Sequence, residues 1–234
     1  MLCFIFIFLF VKNQIIFSLN KFNWKSAILK DIKRLFIIYQ IIKLKDICLT
    51  LTDNKIYGFV GRNGSGKSVL FKIICGYVIA DSGKIMIDGK ELGKDMDFPE
   101  GLGALIETPG FIWYQSGFEN LRYLARIRNK INDAQVKDAI RQVGLNPDSK
   151  KWVGKYSMGM KQRLGIAQAI MENPDILVLD EPMNALDEEG VEEIRQLLLK
   201  YRQPGRCILI TSHNREDIEI LCDEVFEIKS GVLQ

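Results

Sequence analysis

Gly61-Arg62-Asn63-Gly64-Ser65-Gly66-Lys67-Ser68 is the stretch on which the reading of the whole chain turns. It satisfies G-x-x-x-x-G-K-[ST] at every fixed position. Closely spaced glycines let successive backbone N–H groups point into one concavity, and such a concavity holds phosphate oxygens. An apolar run, Ile56–Val60 (IYGFV), leads into it, and Val69–Cys75 continues at helical spacing. A helix starting near Lys67 brings its positive N-terminal end to the same place. On this reading Gly61 to Gly66 and Val69 line a phosphate site, Lys67 reaches the terminal phosphates, and Ser68 ligates Mg²⁺. The competing reading is a plain glycine-rich turn. Typical residue usage makes a full match by chance rare, about one in a hundred chains of this length.

The next signal is Ile176-Leu-Val-Leu-Asp180-Glu181-Pro182, an apolar strand that ends in two adjacent carboxylates. Asp180 at the strand end is placed to hold Mg²⁺, directly or through water. Glu181 points elsewhere and is placed to polarise an attacking water as general base. His213 follows a second continuous apolar run, Cys207–Thr211 (CILIT). It therefore sits at the carboxyl end of a strand, where ligands bind in open α/β sheets, and is a candidate to hold the terminal phosphate and the water with Glu181. Ser157, before a helical run to Met171, has the form of an N-cap, and the N–H groups of Met158 and Gly159 would form a further anion site. By spacing alone Ser-x-Gly is no more than a cap.

Around these motifs strands alternate with helices. Lys43–Leu51 alternates like a half-buried strand, and Lys84–Asp88 and Gly103–Ile106 read as further strands. Helical periodicity runs through residues 118–145, with Asp133–Val143 ended by Gly144 and Pro147. Val191–Tyr201 is amphipathic, and Val225–Ile228 with Gly231 suggests a closing hairpin. Continuous apolar strands separated by helices predict an α/β fold around a parallel sheet.

Composition narrows the function classes. The 234 residues are 47% hydrophobic and 26% charged, as in an ordinary globular chain. No stretch reaches the roughly 20 uninterrupted apolar residues of a membrane-spanning helix, which argues against a polytopic membrane protein. The five cysteines (Cys3, Cys48, Cys75, Cys207, Cys222) form no C-x-x-C pair, and there is one histidine. A disulfide framework and a multi-histidine metal site are thus not expected, and a reducing compartment is. The net charge of +3 divides unevenly: residues 1–42 carry +5 and the remainder −2. The body is not basic, so nucleic acid is not an expected partner.

Residues 1–42 form an atypical apolar and basic segment, and composition changes sharply near residue 40. Three readings fit it: a helix lying on a membrane or partner, a part of the fold, or a non-native extension. The abrupt change favours the last.

Taken together, the phosphate loop, Tyr156-Ser-Met-Gly-Met-Lys-Gln-Arg163, ILVLDEP, Asn184-Ala-Leu-Asp187 and His213 occur in the order seen in ATP-binding cassette (ABC) ATPases. The resemblance covers about residues 43–234 and is closest in motifs to ATPases of bacitracin- and lantibiotic-type peptide exporters. It implies a P-loop NTPase core with an N-terminal antiparallel β element and an inserted helical subdomain at about 108–165. It further implies hydrolysis of ATP with Mg²⁺, and a head-to-tail pair with a second ABC ATPase subunit. Each ATP would lie between one phosphate loop and the Ser157–Gly159 motif of the other subunit, and Asn184–Asp187 would link the two sites. A separate polytopic membrane permease would be the further partner, which places the chain peripherally at the cytoplasmic face of the membrane.

The sequence departs from the family pattern in four places. The signature reads YSMGM, but Ser157 and Gly159 remain. Val69 stands where a hydroxyl residue is common. Glu107 stands where a glutamine usually links the Mg²⁺ site to the membrane partner, and is a candidate metal ligand. The adenine-stacking aromatic would be Tyr39, with Phe36 next, or Tyr39 is ordinary core. Beyond Glu107, the aromatics Phe111, Trp113 and Tyr114 mark either the cleft for a membrane subunit or the core of the helical lobe. Two other classes are compatible with the motifs: a non-transport ABC ATPase, and a catalytically silent nucleotide-binding module. The single cassette, the 90 residues between Lys67 and Ser157, and the presence of Glu181 and His213 count against them.

Overall fold

Three apolar runs can satisfy their backbone groups only by pairing with one another, and they do so in parallel. In the computed structural model, which describes residues 10–11, 14–15 and 44–234, β3 (Lys55–Val60) lies between β8 (Cys207–Thr211) and β9 (Glu224–Lys229). Strand β7 (Ile176–Leu179) pairs with β8 on one side and with β6 (Leu102–Leu105) on the other, again in parallel. Strand β10 (Val232–Leu233) closes the opposite edge antiparallel to β9. The six-stranded order is β10-β9-β3-β8-β7-β6.

Alternate residues of these strands enter two separate cores. Ile56, Leu177, Leu179, Ile208 and Ile210 face one cluster. Helices α2 (Gly117–Arg128), α3 (Asp133–Gln142), α4 (Met158–Ile170), α5 (Glu188–Tyr201) and α6 (Arg215–Leu221) fill that side. Tyr57, Phe59, Val178 and Leu209 face the other, against Leu70 and Phe71 of α1 (Lys67–Ile74). Phe59 and Phe71 meet edge to face, with ring centroids 5.3 Å apart. Each such buried ring contributes about 1.5–3 kcal/mol over an exposed one, so α1 is fixed to the sheet directly behind the phosphate loop.

The local signals explain the helix starts. Ser116 and Glu119 form a capping box at α2, and Asn132 and Gln135 form one at α3. Ser157 caps α4 by accepting from Met160 N at 3.2 Å, as its position before the helical run predicts.

Two expectations need correction. Residues 44–51 form no strand. Their alternation is real, since Leu44, Ile47, Leu49 and Leu51 pack on the second core. Asp46, however, takes a positive φ of 49°, which breaks the extended path needed for a ladder. The expected strand Lys84–Asp88 shrinks to β4 (Met86–Ile87), paired antiparallel with β5 (Lys90–Glu91) across Asp88-Gly89. Both turn residues have positive φ, the form that suits a two-residue hairpin. Residues 86–91 thus supply an antiparallel β element besides the β9–β10 pair, and residues 44–51 supply none.

The chain divides into two units, Met1–Ile41 and Ile42–Gln234. In the first, β1 (Phe10–Val11) and β2 (Gln14–Ile15) pair antiparallel.

Gly103 in β6 is where strand and helix approach most closely. A Cβ there would stand 2.0 Å from the carbonyl oxygen of Ala169 on α4 and 2.7 Å from Pro174 Cγ. Gly103→Ala should therefore lower the free energy of unfolding by about 2 kcal/mol, the usual cost of overpacking. Gly110→Ala, at a position with nothing within 4 Å, should leave it unchanged. Urea unfolding of the two variants checks the pair.

Candidate active site

The carboxyl ends of β3, β7 and β8 lie side by side, and each delivers one part of the site. From β3 the chain enters Gly61 at φ +149°. A Cβ at Gly61 would lie 2.3 Å from the carbonyl oxygen of Ile228 and 2.8 Å from Ser65 Oγ, so a side chain does not fit. The loop is drawn shut by the Ser65 N–H donating to Arg62 O at 3.0 Å, and it is tied to the β9–β10 turn by Gly231 N–H donating to Ser65 O at 2.9 Å. The Lys67 ammonium is buried and donates to the carbonyls of Gly61 (2.7 Å) and Arg62 (3.3 Å). Ser65 Oγ is buried without a hydrogen-bond partner among the described residues. A buried ammonium held only by loop carbonyls among the described residues, with an unpaired hydroxyl beside it, fits a phosphate-bearing ligand.

From β7 come Asp180 and Glu181, and from β8 comes Thr211. The Thr211 hydroxyl donates to Asp180 Oδ1 at 2.7 Å and accepts from Glu181 N at 2.8 Å. This buried hydroxyl fixes both carboxylate residues from the neighbouring strand. Glu181 itself has φ 53°, unusual for a non-glycine residue. Its Oε2 accepts from His213 N at 3.2 Å, and His213 Nε2 stands 3.1 Å from Oε1. Asn63, Gly64, Gly66, Lys67, Ser68, Val69, Asp180, Glu181 and His213 thus line one cavity of about 230 Å³. Among the described residues no three His, Cys, Asp or Glu side chains group as a metal site. The donors available are the Ser68 hydroxyl and the Asp180 carboxylate, a sparse oxygen set that suits a hard cation whose other ligands are phosphate and water.

Other expected residues lie elsewhere. Ser157 and Gly159 are not in that cavity; Gly159 instead packs on Ala185, with its Cβ position 2.8 Å from that residue's carbonyl oxygen. The start of α4 and the Asn184–Asp187 stretch are therefore in contact. Glu107 does not line the phosphate-loop cavity; it lines a neighbouring one with Asp180, Glu181, Thr108, Met158, Gln162, Asn184 and Ala185. Its carboxylate pairs with Lys72, one helical turn beyond Ser68 on α1. Trp113 and Tyr114 are exposed, while Phe111 packs on the core. Tyr39 lies outside the described residues.

The comparisons with known proteins agree with this geometry. The model of the ABC transporter family matches residues 44–184. The chain is 44% identical over 191 residues to the uncharacterised ABC transporter ATP-binding protein YybJ of Bacillus subtilis, covering 82% of this chain and 88% of that one. The chain belongs to the ABC transporter ATP-binding family. It is an ATPase and it binds ATP. It is also 39% identical to the bacitracin transport ATP-binding protein BcrA of Enterococcus faecalis over 80% of this chain, but spans only 61% of that protein's length. The fold matches a dimeric ATP-binding cassette bound to ADP and phosphate with a TM-score of 0.73 at 22% identity, covering 82% of this chain and 88% of that one.

Two residues of the cassette site take roles that the motif reading does not assign. Thr211 is one; its only signal is a hydroxyl closing an apolar strand two residues before His213. Gln162 is another. Its amide donates to the carbonyls of Glu181 (2.8 Å) and Pro182 (3.1 Å), tying α4 to the loop after β7.

Burial raises the Glu181 carboxyl above its ordinary value of 4.5; His213 and Lys67 oppose this without reversing it. The folded cassette thus holds this proton more tightly than the unfolded chain does. That contribution to stability is present below the ordinary glutamate value and is lost as pH rises through the raised one. Glu181→Gln, neutral at every pH, should therefore raise Tm of the ligand-free cassette by about 2 °C at pH 8. The gain should shrink to nothing towards pH 4.5. Thermal scans of both proteins across that range provide the check.

Proposed function

We propose that this cassette is the ATP-hydrolysing subunit of an exporter of antimicrobial peptides or drug-like molecules. It acts as a head-to-tail dimer with a separate polytopic membrane subunit, at the cytoplasmic face of the membrane. The observation that carries the reading is the division of the site. Lys67, Asp180, Glu181 and His213 share one cavity, whereas Ser157 and Gly159 stand outside it on the same chain. A phosphate-binding helix start set apart from the phosphate loop of its own chain finds a use when a second copy brings it to the first copy's phosphate loop. With Met160 N–H taken by Ser157, the N–H groups of Met158 and Gly159 have no intrahelical acceptor and face that contact. Likeness to a dimeric cassette and to a bacitracin transport ATPase supports the assembly and the cargo class.

The roles follow from placement. The loop amides and Lys67 bind and orient the β- and γ-phosphates. Ser68 and Asp180 would hold Mg²⁺, which supplies charge neutralisation to the phosphates. Glu181, fixed by Thr211 and Gln162, accepts the proton of the attacking water. Its raised pKa brings it nearer to working pH, which suits a base. His213 orients that water and the terminal phosphate from the opposite side. Trp113 and Tyr114, exposed a few residues beyond Glu107, suit the seat of the membrane subunit. A catalytically silent module is disfavoured by the intact Glu181–His213 pair.

Glu181→Gln should cut the rate of phosphate release by at least about 10²-fold, the scale of general-base catalysis, while ATP binding persists. Tagged Glu181→Gln cassette, expressed with its native partners and extracted in mild detergent with MgATP, should bring down one polytopic membrane protein in stoichiometric amount. Recovery from the soluble fraction with ribosomes, with DNA or alone would overturn the transporter assignment. Full hydrolysis by the variant would overturn the role of Glu181.

A further inference from the structure

His213 is half exposed, and its imidazole reaches the Glu181 carboxylate, a contact that does not hold the loop itself. The residues on either side of it are held, and by a single buried network. Ser212 Oγ accepts from the N–H of Asn214 at 3.1 Å and donates to Asp217 Oδ2 at 2.8 Å. The other oxygen of Asp217 accepts from Arg195 Nε at 3.0 Å and from its Nη2 at 2.6 Å. Arg195 also reaches Glu216 at 3.0 Å. Ser212, Asp217 and Arg195 are 8%, 2% and 6% exposed. An Asp this deeply buried is tolerated only as a satisfied, paired charge. Here the guanidinium fills one oxygen and the serine hydroxyl the other. The motifs that define the family do not include these three residues.

We infer that Ser212, Asp217 and Arg195 are positioning residues for hydrolysis: they set the distance between His213 and Glu181 without touching substrate. The inference rests on the catalytic reading of His213 proposed above. Its physical content is a lever. Asp217 is anchored to α5 through Arg195 and cannot move, so Ser212 cannot move, and the His213 backbone is held where its N–H meets Glu181 Oε2. Arg195 sits two turns into α5, whose N-cap is Asp187 of the Asn184–Asp187 stretch. Helix α5 thus joins that stretch to the histidine loop as one rigid piece.

Ser212→Ala is the deciding variant, because it cuts the link to the loop and leaves the Asp217–Arg195 pair intact. Its kcat for ATP should fall by roughly tenfold, the worth of one hydrogen bond to a charged group, with KM for ATP within about twofold. Ser212→Thr should restore kcat, and Ser212→Ala added to His213→Ala should cost nothing more. The chain has a single histidine, so its imidazole Hε1 gives one NMR signal. That signal should shift or broaden in Ser212→Ala and return to its native position in Ser212→Thr. Wild-type kcat in Ser212→Ala together with an impaired His213→Ala would overturn the positioning role. Full activity of His213→Ala would instead overturn the catalytic reading of the histidine. In that case an unmoved imidazole signal in Ser212→Ala would overturn the positioning role as well.

Discussion

The parallel pairing of β3, β8 and β7 is the constraint from which the site follows. These strands are buried on both faces, so their polar backbone groups have no water to turn to and must pair with one another. The register pairs Phe59 with Thr211 and Leu179 with Ile210. All three strands therefore run out of ladder at the same edge. Whatever residue comes next in each is placed there without further cost: Gly61 after β3, Asp180 after β7, Ser212 and His213 after β8. A one-residue slip in β7 would exchange its two buried faces and would also move Asp180 away from Thr211.

Much of this is legible in the sequence because each element carries a signal of its own. Continuous apolar runs mark β3, β7 and β8, since a strand buried on both faces needs no polar residue. Ser157 marks a helix start because a side-chain oxygen is needed where backbone N–H groups lose their partners. The segment 44–51 shows the limit of pattern reading. Alternation reports which side chains pack inward, and Leu44, Ile47, Leu49 and Leu51 do so, yet a strand also needs a neighbour along its edge. Among the described residues that segment's bond is Lys45 N–H to Gly231 O at 2.8 Å, one contact and no ladder.

The site residues that stay hidden are those whose role depends on a distant partner. Thr211 reads as the end of a strand until β7 is laid beside it. Asp217 and Arg195 are 22 positions apart and read as helix-surface charges, the usual place for such residues. Glu107 pairs with Lys72, 35 positions away, which no local pattern announces.

Three non-glycine residues with positive φ surround the cavity beside the phosphate loop: Glu107 (60°), Glu181 (53°) and Ala185 (62°). Each such conformation costs on the order of 1 kcal/mol and persists only where neighbours over-determine it. For Glu181 those neighbours are visible. Thr211 holds its N–H, and Gln162 holds its carbonyl. For Ala185 the neighbour is α4, where the missing side chain at Gly159 lets the Ala185 carbonyl lie close against the helix. Helix α4 therefore braces two of the three strained residues, and it is the same helix that Ser157 caps. A contact at Ser157 is then mechanically joined to the backbone that aims Glu181, and a helix long enough to be rigid needs no other device to carry that coupling across the molecule.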